Sequence, residues 1–150
     1  MKFTGSFDVG ASDRIVFEFL TNPSRMASLV KDVEELHIED GGNIRMTVRI
    51  GLSFIRGRFN LKMAVKNKTP YSRAEIAGSG SGSGSTVDFS GICIITGNES
   101  SSKVDWKVEM TIGGLAATMG SRLVQGASEK YINELIQTFR DAVDGQKQNK

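Results

Sequence analysis

A single cysteine and a single histidine are all that 150 residues offer for cross-linking or imidazole chemistry. One thiol cannot close an internal disulfide, and Cys93 with His37 cannot supply a tetrahedral metal site, so structural zinc is excluded. Long hydrophobic runs are missing too: nothing approaches the ~20 consecutive apolar residues of a membrane-spanning helix. The opening MKFTGSFDV carries a lysine but no continuous apolar stretch and no cleavage-site pattern. The expected location is the cytoplasm, with the inner face of the membrane as a peripheral address.

What is present is an ordinary soluble composition, 39% hydrophobic and 24% charged. A chain this long buries roughly 70% of its unfolded surface, whereas a division near residue 80 would leave two marginal halves. One domain over residues 1–145 with a polar tail at 146–150 is therefore expected. Between residues 33 and 112 the alternation is that of antiparallel strands with one buried face. Ile44, Met46, Val48 and Ile50 alternate with Arg45, Thr47 and Arg49; Phe59, Leu61, Met63 and Val65 with Arg58, Asn60, Lys62, Ala64 and Lys66. Val104, Trp106, Val108, Met110 and Ile112 repeat the pattern, and EDGGN, NKTPY and TGNESS are the turns of a meander.

The segment GSGSGSGS, Gly78 to Ser85, has the composition of a flexible linker. Its flanks exclude that role, because Ala74, Ile76 and Gly78 enter it in strand register and Val87, Phe89, Gly91, Cys93 and Ile95 leave it in strand register. The reading is a strand end, a mobile turn and a strand start, with glycine leaving one face without side chains; a cavity rim and a plain loop both fit. Two helical regions bracket the sheet. Ser12 is an N-cap ahead of Ile15, Val16, Phe19 and Leu20, and Asn22-Pro23 breaks this helix from a second carrying Met26, Leu29 and Val30. From Leu115 to Val143 the spacing predicts one long helix, with Met119, Leu123, Ala127 and Tyr131 in steps of four and Gly120 and Gly126 inside it.

The inward side chains are Ile, Leu, Val, Phe, Met and Trp, and no carboxylate or histidine is in phase with them. Acid–base and nucleophilic catalysis both need such a group, so no catalytic residue and no metal ligand is assigned, and Cys93 reads as a small buried hydrophobe. Methionine and glycine on facing elements suit a pocket for an apolar molecule. Its expected lining is Met46, Val48, Phe59, Leu61, Met63, Phe89, Gly91, Trp106, Met110, Met119, Leu123 and Ala127, with Leu52 and Phe54 in the mouth. A quinone or lipid is the expected occupant. The opposite face presents Arg45, Arg49, Arg58, Lys62 and Lys66, with Arg56 close by, as a surface for anionic lipid or an acidic partner. Nucleic acid is not expected, because the aromatic residues needed for stacking lie on the other face.

A strand, a helix pair, six strands and a long helix follow the order of the helix-grip fold of START domains, pollen-allergen-like proteins and polyketide cyclases. This α+β architecture has a curved seven-stranded antiparallel sheet and a C-terminal helix packed over an apolar cavity. FLTNPSRMASLV, IGLSFIRGRF, the GSGSGSGS hairpin and above all MTIGGLAATMGSRLV make the chain resemble, from Phe3 to about Val143, the CoxG family of carbon monoxide dehydrogenase-associated proteins. Asn22 and Lys31-Asp32 stand where that family tends to have an acidic residue and a Pro-Gly pair. The resemblance implies a non-catalytic accessory protein without a cofactor, serving a molybdenum carbon monoxide dehydrogenase-type redox complex or its coupling to membrane and quinone. An adaptor with a filled core, and a small cyclase or hydrolase of the same fold, remain the alternatives.

Overall fold

The computed structural model describes residues 1–51 and 56–148, with side chains through residue 144. Strand β1 (Lys2–Val9) leads into α1 (Asp13–Thr21), which begins where Ser12 Oγ accepts a hydrogen bond from the Ile15 N–H at 3.1 Å. Asn22 then serves two helices: its N–H donates to the Glu18 carbonyl, and its Oδ1 accepts from the Arg25 N–H at the start of α2 (Pro23–Ala27). Pro23 has no N–H to satisfy and favours the first helical position, so the predicted break is a shared cap.

Strands β2 (Val33–Ile38), β3 (Ile44–Gly51), β4 (Arg56–Thr69), β5 (Arg73–Gly82), β6 (Ser85–Gly97) and β7 (Ser102–Gly114) follow as a meander. The seven strands form one antiparallel sheet in the order β1-β7-β6-β5-β4-β3-β2, so the first strand closes beside the last. The turns fall where punctuation places them. Gly41 and Gly42 take positive φ between β2 and β3, and Asn98 Oδ1 accepts from the N–H groups of Ser100 and Ser101 between β6 and β7.

The glycine run is the expected strand end, turn and strand start, but the turn is tighter and the face less bare than expected. Only Ser83 and Gly84, with φ of 53° and 75°, make the turn. These values suit the tight two-residue hairpin whose twist matches the strands, and Gly82 already pairs with Ser85 across it. Nor does glycine leave the inner face empty. A methyl group at Gly78 would stand 2.5 Å from Phe89 Cζ, one at Gly80 would overlap Leu61 Cδ2, and one at Gly82 would stand 3.0 Å from the Phe59 ring. Each glycine is the floor on which a large side chain of a neighbouring strand lies.

The predicted long helix is also divided. Leu115–Met119 is a 3₁₀ turn, Gly120 takes a φ of 98°, and α3 proper spans Ser121–Gln148. The turn is held to the hairpin: buried Ser85 Oγ accepts from the Ala116 N–H at 2.9 Å, and the Gly84 carbonyl accepts from the Leu115 N–H at 2.9 Å. Gly126 does lie inside α3, but nothing stands within 4 Å of a methyl group there, so it marks open space and not a close helix–sheet contact.

Two separate clusters make the core. One joins α1 (Ile15, Val16, Phe19, Leu20) to Val9, Ala74, Ile95 and Val104 of the sheet and to Phe139 and Val143 of α3. There the Phe139 ring stands edge-on to Phe7 and Phe19, with centroids 5.8 and 5.4 Å apart. The other gathers Ala27 of α2 with Ile44, Met46, Val48 and Phe59. Met26 packs against both.

Candidate ligand-binding site

Between the two clusters, the inner face of the sheet carries apolar side chains that are only partly buried, of which Leu61 and Met63 pack against the cluster under α2. Strand register lines them up in cross-strand rows. Met63, Gly78, Phe89 and Met110 form one; Val65, Ile76, Gly91 and Val108 the next; Leu61, Gly80, Val87 and Ile112 a third. All but the buried Gly80 are only partly buried, although the sheet is continuous beneath them. Trp106 lies beside these rows, flat over Gly5, where a methyl group would stand 2.6 Å from the indole ring.

The expected lining therefore divides. Leu61, Met63, Phe89, Gly91, Trp106 and Met110 sit on this partly buried strip, and Ala127 is partly buried on α3. Met46, Val48 and Phe59 are 3%, 1% and 2% exposed and are packed in the cluster under α2, so in this structure they are core. Met119 and Leu123 were expected on a helix closing over the sheet; they are instead 51% and 45% exposed, and Leu115 before them is 63% exposed. Their exposure follows from the break at Gly120 and from α3 being seated by Phe139 and Val143 on the α1 side. Leu52 and Phe54 lie outside the described residues. Among the described residues, one open hollow follows α3 from Gly126 to Gln137 and another lies by Lys2, Asp88 and Glu109. The first holds none of the expected lining and the second only Phe89 and Met110.

The strip's side chains are apolar. The inward positions Val87 to Ile95 and Val104 to Ile112 carry neither carboxylate nor imidazole, and His37 is exposed on β2. Burial pushes the Cys93 thiol up to about 11, which keeps it protonated and unreactive. Tyr131 stands outside the expected lining. It continues the series Met119, Leu123, Ala127 and is half-buried on α3; burial, with the Glu134 and Asp32 carboxylates, pushes its hydroxyl up.

On the outer face, β3 and β4 register Arg45 against Lys62 and Arg49 against Arg58, all exposed. Their charge is partly answered by β2 and the residue that follows it. Glu39 pairs with Arg45 at 3.2 Å, while Glu34 pairs with Arg58 at 3.0 Å and reaches Arg49 at 4.0 Å. Lys66 is exposed beside the irregularity between Val65 and Lys68, and Arg56 is exposed at the start of β4, where its carbonyl accepts from Ser83 Oγ.

The pattern of the CoxG family, the G-type subunits of carbon monoxide dehydrogenase, matches residues 5–144, nearly the whole chain. The chain belongs to the CoxG family. No curated protein matches it by sequence. Solved structures share its fold at low identity. A conserved protein from Geobacillus kaustophilus superposes with a TM-score of 0.87 at 17% identity, over 97% of this chain and 96% of that one. A START superfamily protein from Mycobacterium smegmatis gives 0.71 at 11% identity, over 97% and 98%. A norcoclaurine synthase point mutant from Thalictrum flavum, in complex with a transition-state analogue, gives 0.61 at 13% identity, over 98% and 96%. The CoxG chain is thus an α+β protein of START-like fold, and no helix among its described residues is long and apolar enough to cross a membrane.

Proposed function

We propose that this CoxG-family protein is a non-catalytic accessory factor, one unit over residues 1–145, that holds a quinone- or lipid-like molecule between the sheet and α3. It would serve a carbon monoxide dehydrogenase-type redox complex or the coupling of that complex to the membrane. The observation that carries this reading is the group Phe89, Trp106, Val108 and Met110, partly buried and outside both clusters, with Leu61 and Met63 beside it against the cluster under α2. Apolar surface gains roughly 25 cal/mol per Å² on leaving water. A self-contained adaptor would have no reason to keep this strip open, whereas a carrier leaves it for its cargo. The outer cations Arg45, Arg49, Arg56, Arg58, Lys62 and Lys66 supply a face for anionic lipid or an acidic partner.

Native mass spectrometry of the protein purified from its own host, followed by solvent extraction, tests the reading. A stoichiometric quinone or lipid is the expected result. An empty protein that also refuses such molecules when offered would overturn it in favour of the adaptor.

A further inference from the structure

The three most exposed large apolar side chains among the described residues stand around the break where the 3₁₀ turn passes into α3: Leu115, Met119 and Leu123 are 63%, 51% and 45% exposed. Apolar side chains scattered singly over a surface are ordinary, whereas a group of them marks a contact site. The turn that carries the first two is anchored. The Leu115 and Ala116 N–H groups donate to the Gly84 carbonyl and to Ser85 Oγ, Ala116 is buried, and a methyl group at Gly84 would stand 2.9 Å from Leu115 Cδ1. Leu115 is therefore fixed beside the tip of the β5–β6 hairpin.

Charge at this end has one sign. β3, β5 and β7 all run toward it, with Gly51 opposite Arg56 and Gly82, Ser85 and Gly114 in one row. Ser83 Oγ donates to the Arg56 carbonyl, which puts Arg56 at the hairpin tip, and exposed Arg122 lies between Met119 and Leu123. No Asp or Glu occurs in residues 41–74, 76–87 or 110–128, the stretches that build this end. Arg45, Arg49 and Arg58 are answered by Glu34 and Glu39, whereas Arg56 and Arg122 have no ion-pair partner among the described residues.

A protein partner would need a matched surface of ~800 Å² a side, and three side chains around a turn fall short of that. A bilayer needs no matched shape: Leu and Met gain by leaving water for the acyl boundary, and arginines beside them meet anionic head groups. We propose that Leu115, Met119 and Leu123, with Arg56 and Arg122, form the surface by which the protein seats reversibly on an anionic lipid bilayer, the outer cations adding long-range attraction. This rests on the function proposed above and adds the place where its ligand enters and leaves. Val87 and Ile112 of the partly buried strip lead into the hairpin and Gly114 at this same end.

The test uses the full chain in a Cys93→Ala background, with an environment-sensitive fluorophore on Met119→Cys, on Asn60→Cys of the outer face, or on Glu99→Cys in the β6–β7 turn at the opposite end. The probes are vesicles of phosphatidylcholine and phosphatidylglycerol in equal parts and vesicles of phosphatidylcholine alone. Only the Met119→Cys label should shift to the blue, and only on the mixed vesicles. Leu115→Ser combined with Met119→Ser and Leu123→Ser, all at exposed positions, should weaken flotation with the mixed vesicles at least about tenfold with the fold kept by circular dichroism. A shift at Asn60→Cys without one at Met119→Cys, or a triple variant that floats like the wild type, would overturn the proposal. A wild type that ignores both kinds of vesicle would overturn it in favour of an acidic protein partner. Native mass spectra separate the two readings: a protein that carries a quinone or lipid but gives no shift overturns the docking surface alone, and one that docks but is empty and refuses such molecules overturns the carrier alone.

Discussion

Alanine at Gly78 or Gly82 adds only a methyl group, yet the structure makes it costly. At Gly78 that methyl overlaps the Lys62 carbonyl oxygen and stands 2.5 Å from Phe89 Cζ; at Gly82 it overlaps the Arg58 carbonyl oxygen and stands 3.0 Å from Phe59 Cγ. Carbon atoms rest at roughly 3.5–4.0 Å, so the neighbours must retreat by about an ångström. A side chain can rotate away, but the carbonyls belong to the backbone of β4, which is paired to β5 along this stretch. Overpacking of this kind costs about 1–3 kcal/mol, against about 0.4–1 kcal/mol returned by the stiffer unfolded chain. The net is about 0.6–2 kcal/mol, and with about 2–4 °C of melting temperature per kcal/mol at this size each variant should melt about 1–8 °C below wild type. Two controls share the chemistry without the clash. A methyl at Gly91 would meet Val108 Cγ2 at 3.7 Å and the Lys107 carbonyl at 3.8 Å, ordinary contact, and one at Gly126 meets nothing. Gly91→Ala should not lower the melting temperature, and Gly126→Ala should raise it by about 2–4 °C through helix propensity. Thermal unfolding followed by circular dichroism reads all four. Gly78→Ala and Gly82→Ala melting within about 1 °C of Gly91→Ala would refute the packing account, because a linker or a bare rim predicts that equality.

Filling the strip from either side should block uptake in the same way: Gly91→Phe and Ala127→Phe are expected to abolish ligand retention in native mass spectra with the fold kept by circular dichroism, and unchanged retention would reject this site. Ser85→Ala removes the acceptor of the buried Ala116 N–H; it should cost about 1–3 kcal/mol and speed hydrogen exchange at Ala116, where unchanged exchange would show the 3₁₀ turn to be held by other means. Cys93, pushed up to about 11 from an ordinary 9.0, should alkylate far more slowly at pH 8 than a free thiol. Because the folded state holds the proton more tightly, its contribution to stability is complete below about pH 9 and is lost as pH rises through 11; a thiol reacting at the rate of free cysteine would reject both statements. Arg45→Glu combined with Arg49→Glu should remove salt-sensitive binding to anionic vesicles, and binding that survives the reversal would leave the outer face a solubility device.

The sheet was legible because a half-buried strand writes its two faces into alternate residues, and the caps because Ser12 and Asn22-Pro23 act on their immediate neighbours. What a glycine faces is another matter. Phe89 over Gly78 and Phe59 over Gly82 depend on the register of β6 and β4 against β5, which no local pattern records. The four-residue series of Leu115, Met119 and Leu123 runs through Gly120 without a change of period, so the division of the helix is invisible until the φ of Gly120 is known. Likewise, Met46 and Met63 have the same alternation, but only Met46 lies among the buried residues under α2. Arginines on alternate residues could be assigned to the outer face; that Glu34 and Glu39 answer three of them required the pairing of β2 with β3.

The candidate site follows from how the helices share the sheet. α1 and the last turns of α3 close one end around Phe139, and α2 closes the other around Ala27, while the 3₁₀ turn is tied to the β5–β6 hairpin through Ser85. These anchors are local to their own ends, and the middle of α3 is seated through its own buried residues Val124, Ser128 and Ile132. Glycine completes the arrangement: Gly78, Gly80 and Gly5 let Phe89, Leu61 and Trp106 lie flat against the sheet instead of standing up from it. Lying down, they form an apolar floor on the inner face of the sheet, the surface on which the proposed ligand would rest.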